Sequence, residues 1–307
     1  MVCIIAKSYN SATMPDICDY EGSDYQTRFW KNADRHYEDA SERVALKRLL
    51  PPTGGRIAEF GAGFGRLADL YAGYREVVLV DYSRTLLEEA MQRWGSDPRF
   101  TFVAADIYHL PFAPGALDAA TMVRVLHHLA DPPAALAQIR AALVPRGVFV
   151  LEYANKRNLK AIARYALGRQ AWSPYALEPV EFVKLNFDFH PRYVAQALRE
   201  AGFSPGRSLA VSYLRAGLLK RALPVQAMVA IDAALQLSAP LGALSPSVFI
   251  RNNVPGAAVA DAERARFVSP RSGAPLRREG DVMVCDGDGT RWRVSGNFYD
   301  FKEPLAS

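Results

Sequence analysis

A short apolar run that ends in a glycine-rich loop is the feature that most constrains the fold of this chain. The segment Arg56-Ile-Ala-Glu-Phe60 predicts a buried strand, and Gly61-Ala-Gly-Phe-Gly65 follows it directly. Glycines between a strand and a helix let the backbone approach a ligand closely. Arg66 stands where a dinucleotide fingerprint has its last glycine, so the strict G-x-G-x-x-G pattern fails. The loop therefore argues against NAD or FAD and leaves another nucleoside-containing ligand.

Strands and helices alternate after this loop. Helices are predicted over Arg66–Tyr74, Thr85–Trp94 (with Ser83 as N-cap) and Pro132–Leu143, and strands over Glu76–Asp81, Phe100–Ala104, Leu117–Val123 and Val148–Glu152. This alternation is typical of an α/β fold with a parallel, doubly wound sheet. The candidate last strands are Leu209–Leu214 and Ser247–Arg251, with an apolar helical insertion, Leu218–Leu237, between them.

Asp81 ends the second predicted strand. In a doubly wound sheet, a carboxylate at this position can accept hydrogen bonds from both ribose hydroxyls of a nucleoside. The alternative is a simple cap of the following helix. A third element, Ala105-Asp-Ile-Tyr-His-Leu-Pro-Phe112, follows the next strand.

Together these pieces resemble the small-molecule branch of class I S-adenosylmethionine-dependent methyltransferases, which includes enzymes of quinone biosynthesis. The matching segments occur in the order and spacing of that family, at 59–65, 80–83, 105–112, 124–129 and 143–147. The resemblance implies a Rossmann-like, seven-stranded sheet with helical insertions and an antiparallel last strand. It also implies S-adenosyl-L-methionine as the cofactor.

The resemblance implies roles for the residues of the glycine loop. Gly61, Ala62 and Gly63 would face the methionine part of the cofactor, and Glu59 would orient the loop.

Further implied roles concern the later segments. Asp81 would bind the ribose, Tyr82 would pack beside the adenine, and Asp106 and Ile107 would contact the adenine. Arg124 would line the side of the cofactor from which the methyl group is transferred.

Methyl transfer from a sulfonium is an in-line displacement with a good, neutral leaving group, so positioning supplies most of the acceleration. A base helps only when the acceptor must lose a proton. The candidates are His127, His128, Tyr153 and His190, and we expect His128 and Tyr153 to be catalytic because they follow the fourth strand and end the fifth. The alternative for His128 is packing or a hydrogen bond to a loop. His190 is better explained as a helix-entry residue.

Three parts of the chain are expected to differ in role. Residues 1–50 would form a helical lid with Phe29 and Trp30, two aromatics that would alternatively pack against the sheet. Residues 51–253 would form the Rossmann-like domain, with substrate-side insertions at 155–190 and 215–246. Residues 254–307 would form a small β-ribbon domain.

The tail resembles a degraded form of the zinc-ribbon activator subunit that partners RNA and protein methyltransferases. A working zinc ribbon needs Cys-x-x-Cys twice. This chain has Ser269 and Ser272 at the first pair, and Cys285 and Asp288 at the second. We therefore expect no metal ligands. We also expect the ribbon to dock on the main domain, because a segment of this size is marginally stable alone.

Composition narrows the setting and the partners. The three cysteines, Cys3, Cys18 and Cys285, are too few and too dispersed for a disulfide framework, which favours a cytoplasmic setting. No apolar run suits a transmembrane segment, although the insertion Leu218–Leu237 could touch a membrane surface. Residues 140–221 hold 14 Lys and Arg against 5 Asp and Glu, a net charge of +9. This excess suits an anionic substrate, a membrane surface or RNA, and is alternatively a solvated helix face.

The leading functional hypothesis is O- or C-methylation of a small molecule that is apolar or anionic. Two alternatives stay open. One is an RNA or protein methyltransferase that uses the basic segment 156–169 and the tail, with nucleic acid as the less favoured partner. The other is a non-catalytic S-adenosylmethionine-binding module. The sequence leaves the oligomeric state open.

Overall fold

A computed structural model of the chain describes residues 4–6, 15–19, 21, 35–257 and 265–306. The lid aromatics Phe29 and Trp30 lie outside the described residues. Near the amino terminus, β1 (Ile4–Ala6) and β2 (Ile17–Asp19) form a two-stranded antiparallel sheet.

The seven strands expected from the sequence form one continuous sheet. They are β3 (Gly54–Phe60), β4 (Tyr74–Asp81), β5 (Phe100–Ala104), β6 (Leu117–Met122), β7 (Leu143–Ala154), β10 (Ser204–Val211) and β11 (Ser247–Asn253). Their spatial order is β10-β11-β7-β6-β3-β4-β5. The first five run parallel, and β11 is antiparallel to both of its neighbours. The prediction of a Rossmann-like α/β fold with an antiparallel last strand is confirmed.

Helices cover both faces of this sheet. They are α1 (His36–Leu49), α2 (Arg84–Trp94), α3 (Pro132–Ala142), α4 (Leu159–Ala166), α5 (Pro191–Glu200), α6 (Gly217–Ala222) and α7 (Val225–Leu235). One core includes side chains of α1 and α2, and the other includes side chains of α3 and α5. Burial on both faces explains why the central strands are almost continuously apolar. In the described part of the chain, no helix is both long enough and apolar enough to cross a membrane.

Two predicted helices differ from the structure. The helix expected at Arg66–Tyr74 is a single 3-10 turn, Ala68–Tyr71, because β4 already begins at Tyr74. The apolar insertion, expected as one helix, is divided into α6 and α7 at Pro224, which has no backbone N–H with which to continue a helix.

A hairpin within the first insertion was not predicted. Its strands are β8 (Val180–Val183) and β9 (Asn186–Asp188). The hairpin packs on a 3-10 turn at Leu126–His128 that follows β6, where the Leu185 carbonyl lies 3.0 Å from Nδ1 of His128. It therefore covers part of the edge at which the functional side chains were expected.

The tail adds four strands to the main sheet. They are β12 (Arg277–Glu279), β13 (Val282–Val284), β14 (Arg291–Ser295) and β15 (Phe298–Asp300). The last of them pairs in parallel with the edge strand β5, so that the sheet continues to eleven strands. The buried side chains of Trp292 and Phe301 belong to the same core as those of α3 and α5. The expected seven strands are therefore extended by backbone hydrogen bonds into the tail.

Candidate active site

A cleft with about 1020 Å³ of space, part of it open to solvent, lies at the carboxyl ends of β3, β4 and β6. This is the edge at which doubly wound sheets bind ligands. The structure brings eight of the nine expected cofactor-binding residues to its wall, namely Glu59, Gly61, Ala62, Gly63, Asp81, Tyr82, Ile107 and Arg124. The candidate base His128 also lines the cleft.

The glycine loop is held against the end of β4. The amides of Gly61 and Ala62 donate to the Val80 carbonyl at 2.8 and 3.0 Å. Gly61 has a φ of 71°, and a Cβ added there would lie 2.1 Å from Cγ2 of Val125. A side chain at this position would therefore be strained in conformation and would also clash.

Asp81 joins the glycine loop to the strand next to it. Its Oδ2 accepts a hydrogen bond from the Gly63 amide at 2.7 Å, and its Oδ1 accepts one from the Ser83 amide at 2.9 Å. The helix cap is supplied by Ser83, whose Oγ accepts from the Leu86 amide at 3.3 Å. The prediction of Ser83 as N-cap is confirmed, and Asp81 is not needed for that purpose.

Glu59 is buried at the base of the cleft. Its Oε2 is a buried atom without a hydrogen-bond partner. Burial raises the pKa of Glu59 to about 7, although the charge of Arg66 opposes the shift. A buried carboxyl oxygen of this kind is suited to a cationic donor from a ligand, because leaving it unpaired is costly.

The wall expected to hold the adenine is formed by Tyr82, Ile107 and Tyr108, without Asp106. The Asp106 carboxylate instead accepts from the Tyr108 amide at 2.9 Å and lies 3.0 Å from Nδ1 of His109. This contact raises the pKa of His109. Asp106 therefore shapes the turn that carries Ile107 and Tyr108, and it is not among the residues that line the cleft.

Arg124 lies at the expected methyl-transfer side, in a left-handed conformation with a φ of 61°. Its amide donates to Oε2 of Glu152 at 2.9 Å, and its guanidinium pairs with Glu42, with Nε 2.8 Å from Oε1. Glu42 also accepts from Nη2 of Arg66 at 2.8 Å. A non-glycine residue with positive φ is backbone strain of the kind found at functional sites.

Sequence reasoning missed Glu42. Its side chain is 0% exposed on α1, and although burial raises its pKa, Arg124 and Arg66 lower it to about 2. The available signal was its spacing, because Glu42 shares a helical face with the buried Glu38, Ala45 and Leu49. A carboxylate on the apolar face of a helix indicates a buried cationic partner.

The two expected catalytic residues face different surroundings. His128 has Nδ1 near the Leu185 carbonyl, which can only accept, so the neutral ring carries its proton on Nδ1. Burial lowers the pKa of His128, which keeps the ring neutral and gives Nε2 an acceptor lone pair. Tyr153 is instead packed in the core beside α3 and α5, and burial raises its pKa far above the ordinary value. Side chains alternate along β7, so Tyr153 points away from the face that presents Glu152.

The tail reaches the adenine side of the cleft. Nζ of Lys302 lies 3.8 Å from the centre of the Tyr82 ring and 3.5 Å from Oε2 of Glu21. The Asp300 carboxylate pairs with Arg84 at the start of α2, 2.7 Å from its Nε. The end of β15 and the residues just after it therefore contact Tyr82 in the wall of the candidate cofactor site and Arg84 close to it.

The four ribbon positions singled out in the tail do come together. Oδ2 of Asp288 accepts from Oγ of Ser269 at 2.6 Å and from Oγ of Ser272 at 2.5 Å. The Cys285 Sγ lies 3.9 Å from Oγ of Ser272. Burial opposes ionisation of Asp288, but the hydroxyls of Ser269 and Ser272 and the bonds from Thr290 hold its pKa well below the usual range. Hydrogen bonds thus join the two turns that the sequence comparison with zinc ribbons singled out.

Comparison with known proteins gives a matching family for the centre of the chain. Residues 58–151 match the model of the methyltransferase domain family. A 2-phytyl-1,4-naphtoquinone methyltransferase of Trichormus variabilis is 34% identical over 141 residues, which cover 43% of this chain and 57% of that enzyme. The chain spans about a third of the length of two other curated relatives.

Solved structures share the fold. A chain from the complex that contains the Haloferax volcanii Trm112 methyltransferase activator is similar with a TM-score of 0.54 and 16% identity, over 76% of this chain and 96% of that one. An S-adenosylmethionine-dependent methyltransferase from Mesorhizobium loti has a TM-score of 0.50 and 22% identity, over 71% and 99%. Residues 58–151 are therefore similar to the methyltransferase domain family, and the chain shares its fold with structures of S-adenosylmethionine-dependent methyltransferases.

Proposed function

We propose that this chain transfers a methyl group from S-adenosylmethionine to an oxygen or carbon atom of a small molecule. The observation that carries the proposal is the convergence of Gly61, Gly63, Asp81 and the unpartnered Oε2 of Glu59 on one cleft. The relatives support methyl transfer as the reaction class, and the cleft contains residues suited to binding the methyl donor.

The residues of the cleft fit this cofactor in charge and shape. The ammonium of its methionine part would meet the Glu59 carboxylate, which lacks a hydrogen-bond partner on Oε2. The positive φ angles of Gly61 and Gly63 leave backbone, without side chains, facing the ligand. Asp81 at the end of β4 would accept from the ribose hydroxyls, and Tyr82 and Ile107 would flank the adenine. The bound cofactor supplies an electrophilic methyl group on a positively charged sulfur.

The protein's contribution to the reaction is mainly positioning. Holding two reactants in line gives effective molarities on the order of 10⁵ M or more. For an acceptor that must lose a proton, His128 is the base that the geometry favours, because it is neutral and lines the cleft. Tyr153 is not part of this proposal, because its side chain packs in the core and does not line the cleft.

The acceptor we propose is a ring-containing small molecule of the phenol, quinone-like or aromatic acid type. The naphtoquinone methyltransferase of Trichormus variabilis supports this class, as one relative that acts on such a ring. The insertions 155–190 and 215–246 lie beyond the matched domain, and they would determine the choice among such acceptors.

The test is an assay of methyl transfer from labelled S-adenosylmethionine to a panel of phenols, quinols and aromatic acids, with bulk RNA and protein as separate arms. Label should enter at least one small molecule, and the H128A variant should lose activity only on acceptors that release a proton. Transfer confined to RNA or protein would overturn the small-molecule assignment. Binding of the cofactor without transfer to any class would favour the non-catalytic alternative.

For the tail, we propose a metal-free relative of the zinc ribbon that braces the cofactor wall in cis. The contacts among Ser269, Ser272 and Asp288 support a ribbon closed by hydrogen bonds. The contacts of Asp300 with Arg84 and of Lys302 with Tyr82 support the bracing role. Metal analysis of the purified protein should find no stoichiometric zinc, and one zinc per chain would contradict the proposal.

A further inference from the structure

Polar side chains from three separate elements lie near Arg124, which lines the cleft. His127 belongs to the 3-10 turn after β6, Asp188 ends β9, and Arg215 follows β10. The hairpin that carries Asp188 is hydrogen-bonded to this turn, and the residue before Arg215 is hydrogen-bonded to α1, the helix whose Glu42 pairs with Arg124. Burial lowers the pKa of His127, and the charges of Arg124 and Arg215 add to this shift. The three elements therefore meet beside the wall that Arg124 forms.

Among the described residues, Arg215 has no counterion. Its Nε is buried and has no hydrogen-bond partner, and no described carboxylate lies within ion-pair distance of its guanidinium. The nearest candidates are already engaged. Glu42 pairs with Arg66 and Arg124, and Glu152 accepts from the Arg124 amide and from Oγ of Ser247. A partly buried guanidinium that has lost water without gaining a partner is unfavourable by itself.

The backbone that presents Arg215 is fixed just before it. Ser212 has a φ of 66°, which is a strained conformation for a residue with a side chain. The amides of Ser212 and Tyr213 donate to the buried Asp232 carboxylate at 3.2 and 2.9 Å, and the Leu214 amide donates to Oη of Tyr37 at 2.9 Å. A buried hydrogen-bond network thus holds the strained turn in place. The turn fixes the direction in which the chain leaves β10 and so the position of Arg215.

One neighbour of Arg215 also has an unpaired buried atom. Nδ1 of His127 is buried without a hydrogen-bond partner among the described residues. Asp188 is half-buried, and burial raises its pKa to about 6, even though Arg215 opposes the shift. Buried polar groups in proteins are normally paired, so the unpaired atoms of Arg215 and His127 together mark a place for a polar ligand.

We propose that Arg215 anchors the methyl acceptor by binding a carboxylate group on it, with His127 and Asp188 contacting the polar atoms beside that group. The proposal rests on the proposed function, because it places the acceptor next to the methyl donor. A guanidinium presents a planar fork of donors that matches a carboxylate with two parallel hydrogen bonds. The substrate class is therefore an acid, and a neutral ring of the same size is a poorer acceptor.

The test uses calorimetric titration of the whole chain with benzoate and with benzamide, which have similar shape and differ in charge. Both titrations are run with and without saturating S-adenosylhomocysteine. Benzoate should bind the wild-type protein at least tenfold more tightly than benzamide. R215Q should remove this preference, R215K should keep part of it, and the exposed control R221Q should keep all of it.

The outcomes separate this proposal from the proposed function. Equal affinity for benzoate and benzamide, no benzoate binding, or a preference that survives R215Q would overturn the Arg215 assignment while S-adenosylhomocysteine still binds. Failure of S-adenosylhomocysteine to bind would instead overturn the proposed function. R215Q should bind S-adenosylhomocysteine as the wild type does; if R215Q does not fold, a preference in R215K equal to that of the wild type overturns the assignment.

Discussion

The two sides of the cleft are built in different ways. On the cofactor side, the Asp81 carboxylate is tied to the amides of Gly63 and Ser83, which lie within one β-loop-β unit. On the proposed acceptor side, Arg124, Asp188 and Arg215 come from elements far apart in the sequence, and Arg215 has no ion-pair partner among the described residues. The cofactor side is thus held in place by local backbone hydrogen bonds, whereas the proposed acceptor side depends on tertiary contacts and carries a cation that a ligand would pair.

Glu42 connects these two sides. Its buried carboxylate pairs with Arg66 beside the glycine loop and with Arg124 beside the acceptor region. Both arginines line the cleft, and Glu42 neutralises part of the positive charge that they bring there. One buried helix residue therefore joins the two sides electrostatically.

The largest expected effect is the loss of stability when the Glu42 carboxylate is replaced. We expect E42Q to lower the free energy of unfolding by about 3–5 kcal/mol, because breaking a buried ion pair leaves uncompensated charge. Urea denaturation would measure the change. The matched control is D69N, which removes the exposed pair of Asp69 with Arg43 and should cost at most about 1 kcal/mol. Equal losses of unfolding free energy in E42Q and D69N would contradict the view that the buried ion pairs of Glu42 stabilise the fold.

The ion pairs of Glu42 should also make the stability of the protein depend on pH. The folded pKa of Glu42 is about 2, below the ordinary value of 4.5, so its ionised form is stabilised by folding. This contribution is present above pH 4.5 and is lost as the pH falls from there towards 2. Between these values the wild type should lose more stability than E42Q.

A second, smaller effect concerns the pH dependence of cofactor binding. The pKa of Glu59 is about 7, and the cofactor ammonium needs the ionised carboxylate. Affinity for S-adenosylmethionine should therefore rise with pH up to about 7, by close to tenfold per unit well below that value. Calorimetry between pH 5.5 and 7 in two buffers would also show proton release. The E59Q variant should bind weakly with a flat profile, and a flat profile in the wild type would count against the role of Glu59.

The smallest expected effect is on cofactor affinity, when a contact from the tail is removed. K302M removes the cation above the Tyr82 ring and the contact with Glu21, so cofactor affinity should fall about threefold to tenfold. This range corresponds to a total of roughly 0.7–1.4 kcal/mol, the lower part of what one cation–π contact and one ion pair contribute together. K302R keeps the charge and should retain most of the affinity. An unchanged dissociation constant in K302M would show that the tail does not brace the cofactor wall.

Much of the cofactor side was predictable from sequence because its signals are local. The apolar strand before Gly61, the carboxylate at the end of β4 and the Ser83 cap each lie within a few residues of what they bind. Parallel strands bring such ends to one edge of the sheet, so the fold class and the place of the site follow together.

The rest depends on tertiary contacts that spacing does not reveal. Glu42 and Arg124 are 82 residues apart, and the pairing of β15 with β5 joins the tail to a strand nearly 200 residues earlier. Tyr153 was expected at the site because it ends a strand, but the alternation along β7 directs its side chain into the core. The residues that we propose to select the acceptor come from insertions, where no local motif indicates which side chains will meet.

The central claim is that this cleft binds S-adenosylmethionine through the carboxylate at the end of β4. It is tested most directly by calorimetric titration of D81A, with E88A on the exposed surface of α2 as control. Hydrogen bonds to a charged group are worth about 1.5–3 kcal/mol each, so D81A should weaken binding by roughly tenfold to several hundredfold, and E88A should bind as the wild type does. An unchanged dissociation constant in D81A, with the wild type binding normally, would contradict the assignment of the cofactor site.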